Sequence, residues 1–135
     1  MASFAFIDCR VEINSVVLSA FARSATLKVE AAELDDTAFG DTFHSRIGGL
    51  KDWSVDIEFN SDFAASAVDA TLWPLLGTTT TVKIRATSAA ISSTNPEYSG
   101  TVLVKEVNPM GNSVGDLATV SVSWPGAGTL SRATA

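Results

Sequence analysis

Apolar and polar positions alternate most strictly between Leu50 and Asn60. Trp53, Val55, Ile57 and Phe59 fall on one face, and Asp52, Ser54, Asp56, Glu58 and Asn60 on the other. A period of two is that of a strand with one side buried, so this stretch predicts a central, half-buried strand. The same period predicts a first strand over residues 5–13, with Ala5, Ile7, Cys9, Val11 and Ile13 facing one way and Asp8, Arg10 and Glu12 the other. Asn14-Ser15 makes a turn, residues 16–18 form a short extended piece, and residues 25–34 alternate again. Beyond the central strand the period becomes helical over residues 66–76. Ser66 and Asp69 resemble a capping box, Val68, Leu72 and Leu75 form one stripe, and Gly77 suits a left-handed stop. Alternation returns over residues 78–87, 98–107 and 116–124, and residues 129–135 are a short edge strand or a tail.

Six or seven strands with one helix between the middle ones predict an all-β fold, a β-sandwich or open barrel with one short flanking α-helix. A single domain spans residues 1–135, because a chain of 135 residues supports one core of ordinary size.

The segment 35–49 breaks the pattern. It holds three Asp, three Gly, one Arg and one His with neither periodicity, and it ends at Gly48-Gly49, so it reads as a long ordered loop between the second and third strands. Connections of that length in small domains are uncommon unless functional.

Charge and chemistry narrow the function classes. The chain has 9 basic and 15 acidic residues, a net charge of −6 and a pI near 4.5, which argues against a nucleic-acid groove or an anionic membrane as direct ligand. One cysteine, Cys9, makes no intrachain disulfide and is in phase with core positions. The start, MASFAFIDCR, lacks a basic segment followed by a long apolar one, which places the chain in the cytosol of the cell that makes it. Gly111-Asn112-Ser113-Val114-Gly115 matches G-x-S-x-G, but the nucleophile elbow needs a preceding strand, a following helix and a later histidine, and the only histidine, His44, is earlier; the segment is read as a turn. A lone His with one distant Cys makes no zinc site. Asp35, Asp36 and Asp41 lack the spacing of a calcium loop and are read as capping turns and pairing with Arg46 or another chain. Gly126-Ala127-Gly128 has too little chain after it for a dinucleotide fold, and Asp56 and Glu58 are a solvated strand face. The expectation is a protein without enzymatic activity, metal or cofactor, whose business is binding or assembly. Phe4 and Phe6 lie on the polar side of the first strand and suggest a subunit interface.

Several stretches resemble the major tail tube proteins of long-tailed bacteriophages, in particular those of actinobacteria. They are residues 18–27 (LSAFARSATL), 33–42 (ELDDTAFGDT), 46–54 (RIGGLKDWS), 114–120 (VGDLATV) and 124–128 (WPGAG), in that order along most of the chain. The resemblance implies a virion protein, assembled in the host cytoplasm, of which six copies close into a ring whose inner sheets join as one barrel, with rings stacked into a tube. Its implied partners are other copies of itself, the tape measure protein and the tail tip and terminator proteins, with viral DNA passing through the lumen unbound. The long loop, with Asp36, Thr37, Phe39, Gly40, Asp41 and Arg46, would then reach into the neighbouring ring. The face bearing Asp52, Asp56 and Glu58 would line the lumen, with Lys28, Lys83 and Arg85 as charges to account for. A capsid decoration, head–tail joining or tail terminator protein is the structural alternative. An immunoglobulin-like adhesin is the other, and it would want an exposed aromatic platform, whereas Trp53 and Trp124 are in phase with the core and Trp73 follows the helix stripe.

Overall fold

The strand at the centre of the alternation is longer than its pattern and organises one of two sheets. In the computed structural model, which describes residues 3–135, a hairpin of β3 (Ala22–Asp35) and β4 (Arg46–Asn60) is joined on the far side of β4 by β7 (Thr119–Pro125), in the order β3-β4-β7. The second sheet has the order β2-β1-β5-β6-β8, from β1 (Arg10–Ile13), β2 (Val16–Val17), β5 (Thr79–Arg85), β6 (Glu97–Leu103) and β8 (Ser131–Ala133). All pairings in both sheets are antiparallel. The protein is therefore the expected all-β sandwich with one short helix, built among the described residues from eight strands once the two-residue β2 and the terminal β8 are counted.

The core lies between the sheets. Val55, Ile57 and Phe59 of β4 and Val120, Val122 and Trp124 of β7 meet Val11, Ile13, Val82 and Val102 of the other sheet. Burying each such side chain contributes about 1.5–3 kcal/mol. The helix α1 (Val68–Leu72) closes one end of this core through Val68 and Leu72. Trp53 ties the two sheets together at the other end. Its indole N–H donates to the carbonyl of Gly128 at 2.7 Å, and its own carbonyl accepts from the Gly126 N–H at 2.7 Å.

Four expectations need correction. The first strand begins at Arg10 rather than Ala5, because only Arg10–Ile13 finds ladder partners, on β5 and β2. Ile7 is consequently 88% exposed instead of inward, and Cys9 is half-buried. The loop is shorter than 35–49: β3 runs to Asp35 and β4 starts at Arg46, with the register pairing Leu34 to Ile47 and Asp35 to Arg46. A bulge between the Ala31–Lys51 and Glu33–Gly48 pairs leaves Gly49 and Leu50 opposite Ala32, so the strand passes through the polar sequence that had looked like loop. The capping box is absent. Ser66 sits at φ +62, Ala67 is the N-cap, and no side chain caps the helix. Finally, α1 gives way to a 3-10 turn at Trp73–Leu75, where Pro74 lies. The changed period turns Trp73 off the buried stripe, leaving it 57% exposed. Gly77, at φ +82, ends the segment as its sequence suggests.

The close seat of Trp53 generates a test of the fold. A Cβ added at Gly126 would fall on the indole of Trp53, and one at Gly100 would come within 2.6 Å of its Cζ2. Gly126→Ala and Gly100→Ala are each expected to destabilise the protein by about 1–3 kcal/mol through overpacking, measured by urea unfolding. An unchanged midpoint would mean that Trp53 does not clamp the sheets.

Candidate assembly interfaces

The β3–β4 hairpin extends beyond the sandwich. β7 pairs with β4 only from Ser54 to Asn60, so the half of β4 from Arg46 to Trp53 has β3 as its one neighbour in the sheet. Beyond Trp53, which is buried, no described residue covers the apolar side chains of the overhang: Ile47 and Leu50 on β4 and Leu34 on β3 are exposed. At the tip, residues 36–45 are tied into a compact structure by their own side chains. Asp35 Oδ1 accepts from the Thr37 N–H at 2.9 Å, Asp41 Oδ2 from the Ala38 N–H at 2.8 Å, and the Thr37 hydroxyl oxygen from the Ser45 N–H at 2.8 Å. The Asp36 N–H donates to the Ser45 carbonyl at 2.9 Å, and Gly40 takes φ +94 in the turn that follows. Short polar residues thus supply the partners that a strand ladder would otherwise give. Phe39 and Phe43 are left fully or largely exposed on the outside of this knot.

Asp36, Thr37, Phe39, Gly40 and Asp41 are therefore together at the tip, while Arg46 is on the strand below it. Arg46 pairs with Glu33 across the hairpin rather than with an aspartate of the loop. His44 is solvent-exposed and its Nδ1 lies 3.4 Å from Asp35 Oδ2.

The polar face of the three-stranded sheet is continuous. The register sets Glu58 opposite Ser24, Asp56 opposite Thr26, Ser54 opposite Lys28 and Asp52 opposite Glu30, with Ser121 and Ser123 of β7 completing the rows. Asp52, Asp56 and Glu58 accordingly share one hydroxyl-rich, acidic face. The cations that could cancel it are engaged or elsewhere. Arg23 bonds Glu58 at 3.2 Å and Lys28 lies 3.7 Å from Glu30, both on this sheet. Lys83 and Arg85 belong to β5 of the other sheet, where they pair with Glu12 at 3.7 Å and Glu97 at 3.4 Å.

Among the described residues nothing pairs with one lateral edge of the same sheet. β4 turns the backbone groups of Trp53 toward β7 and those of Asn60 toward β3, so by alternation Ala25, Leu27, Val29 and Ala31 direct their N–H and C=O groups away from the sheet. Beneath this edge Ala25, Leu27 and Val29 line an apolar groove with Ile84, Ala86 and Tyr98, and Phe6 stands at its rim. Phe4 and Phe6 are both half exposed, on a segment outside any strand. The root of that segment is pinned by Asp8, whose Oδ2 accepts from the Ser88 hydroxyl at 2.7 Å and from its N–H at 3.3 Å. These two bonds hold the Asp8 carboxyl below its usual pKa. Burial pushes the thiol of the free Cys9 up, as does the nearby Asp8 charge, so it is a poor nucleophile.

The candidates for chemistry stay apart. Gly111-Asn112-Ser113-Val114-Gly115 lies in the exposed connection before β7, with Gly115 at φ +90 and the Ser113 N–H bonded to Asp116 at 3.3 Å. Among the described residues no group of three His, Cys, Asp or Glu side chains could hold a metal ion. No helix is long and apolar enough to cross a membrane. Sequence reasoning missed the groove and the open edge, which arise from strand order and have no local signal. It also placed Leu117 in a strand, whereas β7 starts at Thr119 and Leu117 is exposed.

No protein-family model matches the sequence, and no curated protein sequence does. The fold does have relatives. Over 98% of this chain and 100% of the other, it is similar to a chain in the virion of a native gene transfer agent particle, at a TM-score of 0.79 and 14% identity. With the same coverage it is similar to a chain in the tail of an empty gene transfer agent particle in C6 symmetry, at a TM-score of 0.74 and 13% identity. The class is thus defined at the level of fold: a two-sheet, one-helix sandwich of the kind found in those particles.

The tip has a pH dependence of known sign. Asp35 is held below its usual pKa first by the side chain of Thr37, then by its backbone N–H, and also by His44. A carboxylate with a depressed folded pKa stabilises the ordered tip above its unfolded value and loses that effect as pH falls through the folded one. Exchange protection of the Thr37 amide is therefore expected to be constant near neutrality and to fall below about pH 4. Asp35→Asn should abolish this dependence without lowering the global melting temperature. Protection that persists through acid would remove Asp35 as the organiser of the tip.

Proposed function

We propose that the protein is a non-enzymatic structural subunit of a phage-like virion tail tube. Six copies form a ring, rings stack through the hairpin tips, and the acidic sheet face lines a conduit for the genome. The carrying observation is the end-to-end match to a chain of a C6-symmetric tail, and three features of this chain fit it. The open β3 edge suits lateral pairing between copies. The overhanging hairpin, with exposed Phe39 and Phe43 at a self-tied tip, suits insertion into a neighbouring ring. The face with Asp52, Asp56 and Glu58 suits a lumen, since DNA carries a negative charge about every 1.7 Å along its axis and a basic lining would retain it by counterion release. Phe4 and Phe6, beside the open edge, lie at the seam between copies. A tape measure protein and tip and terminator proteins are the further partners of such a tube, and its site of assembly is the host cytoplasm. Electron microscopy of the purified protein tests the whole reading: stacked rings of uniform width support it, single rings that never stack point to a terminator, and a chain that stays monomeric at high concentration in the presence of tail initiators refutes it.

Two variants separate the parts. Replacing residues 37–44 by a two-residue Asn-Gly turn should leave a folded subunit, because Asp36 and Ser45 are already joined by a backbone hydrogen bond at 2.9 Å that can close a tight turn, and shortening a loop changes closure entropy slowly. That variant is expected to form rings but not tubes, and long tubes from it would show that the tip does not stack rings. Changing Asp56 and Glu58 to Lys should leave tube assembly intact, while the tubes retain DNA in vitro and particles deliver it poorly. Tubes that neither bind DNA nor slow its delivery would place this face on the outer wall.

A further inference from the structure

We infer that the two lateral sides of the three-stranded sheet are the two halves of one contact: the groove under β3 receives, from a second copy, the connection of residues 104–118 through Met110, Val114 and Leu117. This rests on the ring reading above and adds which surfaces meet.

The two sides are unlike. On the β3 side a free strand edge overhangs a groove of about 440 Å³, whose floor and walls are aliphatic or aromatic. On the other side the edge of β7 is already used. The Asn112 side chain accepts from the Thr119 N–H at 3.0 Å and donates to the Thr119 hydroxyl at 3.0 Å. Asn108 forms a bridge with Ser121 and its side-chain amide donates to the Ser121 carbonyl at 3.1 Å. The connection is thereby laid along the strand edge, and a turn in which Asp116 N–H donates to the Ser113 carbonyl at 3.1 Å fixes its far half. What it turns to solvent is apolar: Met110, Val114 and Leu117 are all exposed.

A closed ring needs two different surfaces on each copy, because only a heterologous contact repeats around an axis. Two β3 sides brought together would leave both grooves empty, and two connections would bury little. One groove against one connection satisfies both. The occupant is a second copy because each copy carries both halves on opposite edges of the same sheet, so the contact continues the lateral edge of that sheet from copy to copy.

The test uses two substitutions at exposed positions, Val29→Lys in the groove and Val114→Lys in the connection, so that the two altered surfaces carry like charge and repel each other. Circular dichroism and melting temperature should match the parent; if Val29→Lys does not, Val29→Ser takes its place. Each variant alone is expected to stay monomeric by sedimentation velocity under conditions where the parent forms rings. Mixed one to one, they should form a dimer and stop there, since the intact groove of one takes the intact connection of the other and no further intact pair remains. Ring formation by either variant alone, or a mixture that stays monomeric, overturns the pairing. A parent that forms neither rings nor tubes overturns the ring reading itself, so the two failures are distinguishable.

Discussion

The seat of Trp53 is the constraint on which the molecule depends. It marks the point where β4 stops being the middle of a sheet and becomes half of a free hairpin. On one side of it, β7 pairs with β4 and the second sheet covers the apolar face; on the other, only β3 remains. Gly100 and Gly126 leave room for the indole, and the bonds to Gly126 and Gly128 hold the chain after β7 against it. A long two-stranded ribbon by itself is marginal in water. Anchoring one end in a core and tying the other into a hydrogen-bonded tip makes the overhang a projecting element with a defined shape.

The sequence carried this division only in part. β4 was legible because its buried half alternates strictly, and the same holds for β5 and β7, where one face meets the core. The outer half of the hairpin was not, because neither of its faces is buried by the described chain, so the fold of one copy does not require its residues to alternate. Polar and glycine-rich sequence that reads as loop is strand in the structure, held by its register with β3 and a bulge at Gly49 and Leu50. The first strand failed in the opposite sense. Residues 5–9 have the pattern but no ladder partner, so alternation promised a strand that the topology does not extend.

The candidate sites divide in the same way. Residues of one local segment, such as Asp36 to Asp41, or of one strand face, such as Asp52, Asp56 and Glu58, could be grouped from sequence spacing. The groove under β3 could not, because Leu27, Ile84 and Tyr98 come from three strands and two sheets. Nor could the dressing of the β7 edge by Asn108 and Asn112, which looked like ordinary turn residues. Phe4 and Phe6 were singled out for being on the wrong face of a strand; the structure dissolves that strand and leaves both side chains half exposed, Phe6 against the groove of the open side.

Strand edges give the last step. The two sheets have four of them, and an exposed edge invites pairing with any chain that offers another. In the five-stranded sheet the edges are β2, of two residues, and β8, of three, both too short to template much. The β7 edge is covered by asparagine side chains from its own connection. β3 is the exception: fourteen residues long, unpaired on its outer side by any described residue, with an apolar groove beneath it. A protein that blunts three edges and leaves the longest one bare is not failing to protect itself against association. Under the ring proposal it leaves one bare strand edge for association, and when the surface meeting that edge differs from it, each copy added presents a fresh bare edge. Growth then continues until the rotation closes on itself. Under the ring proposal, the free edge of β3 is thus the feature of the fold that would make a ring, rather than a pair, the natural end of assembly.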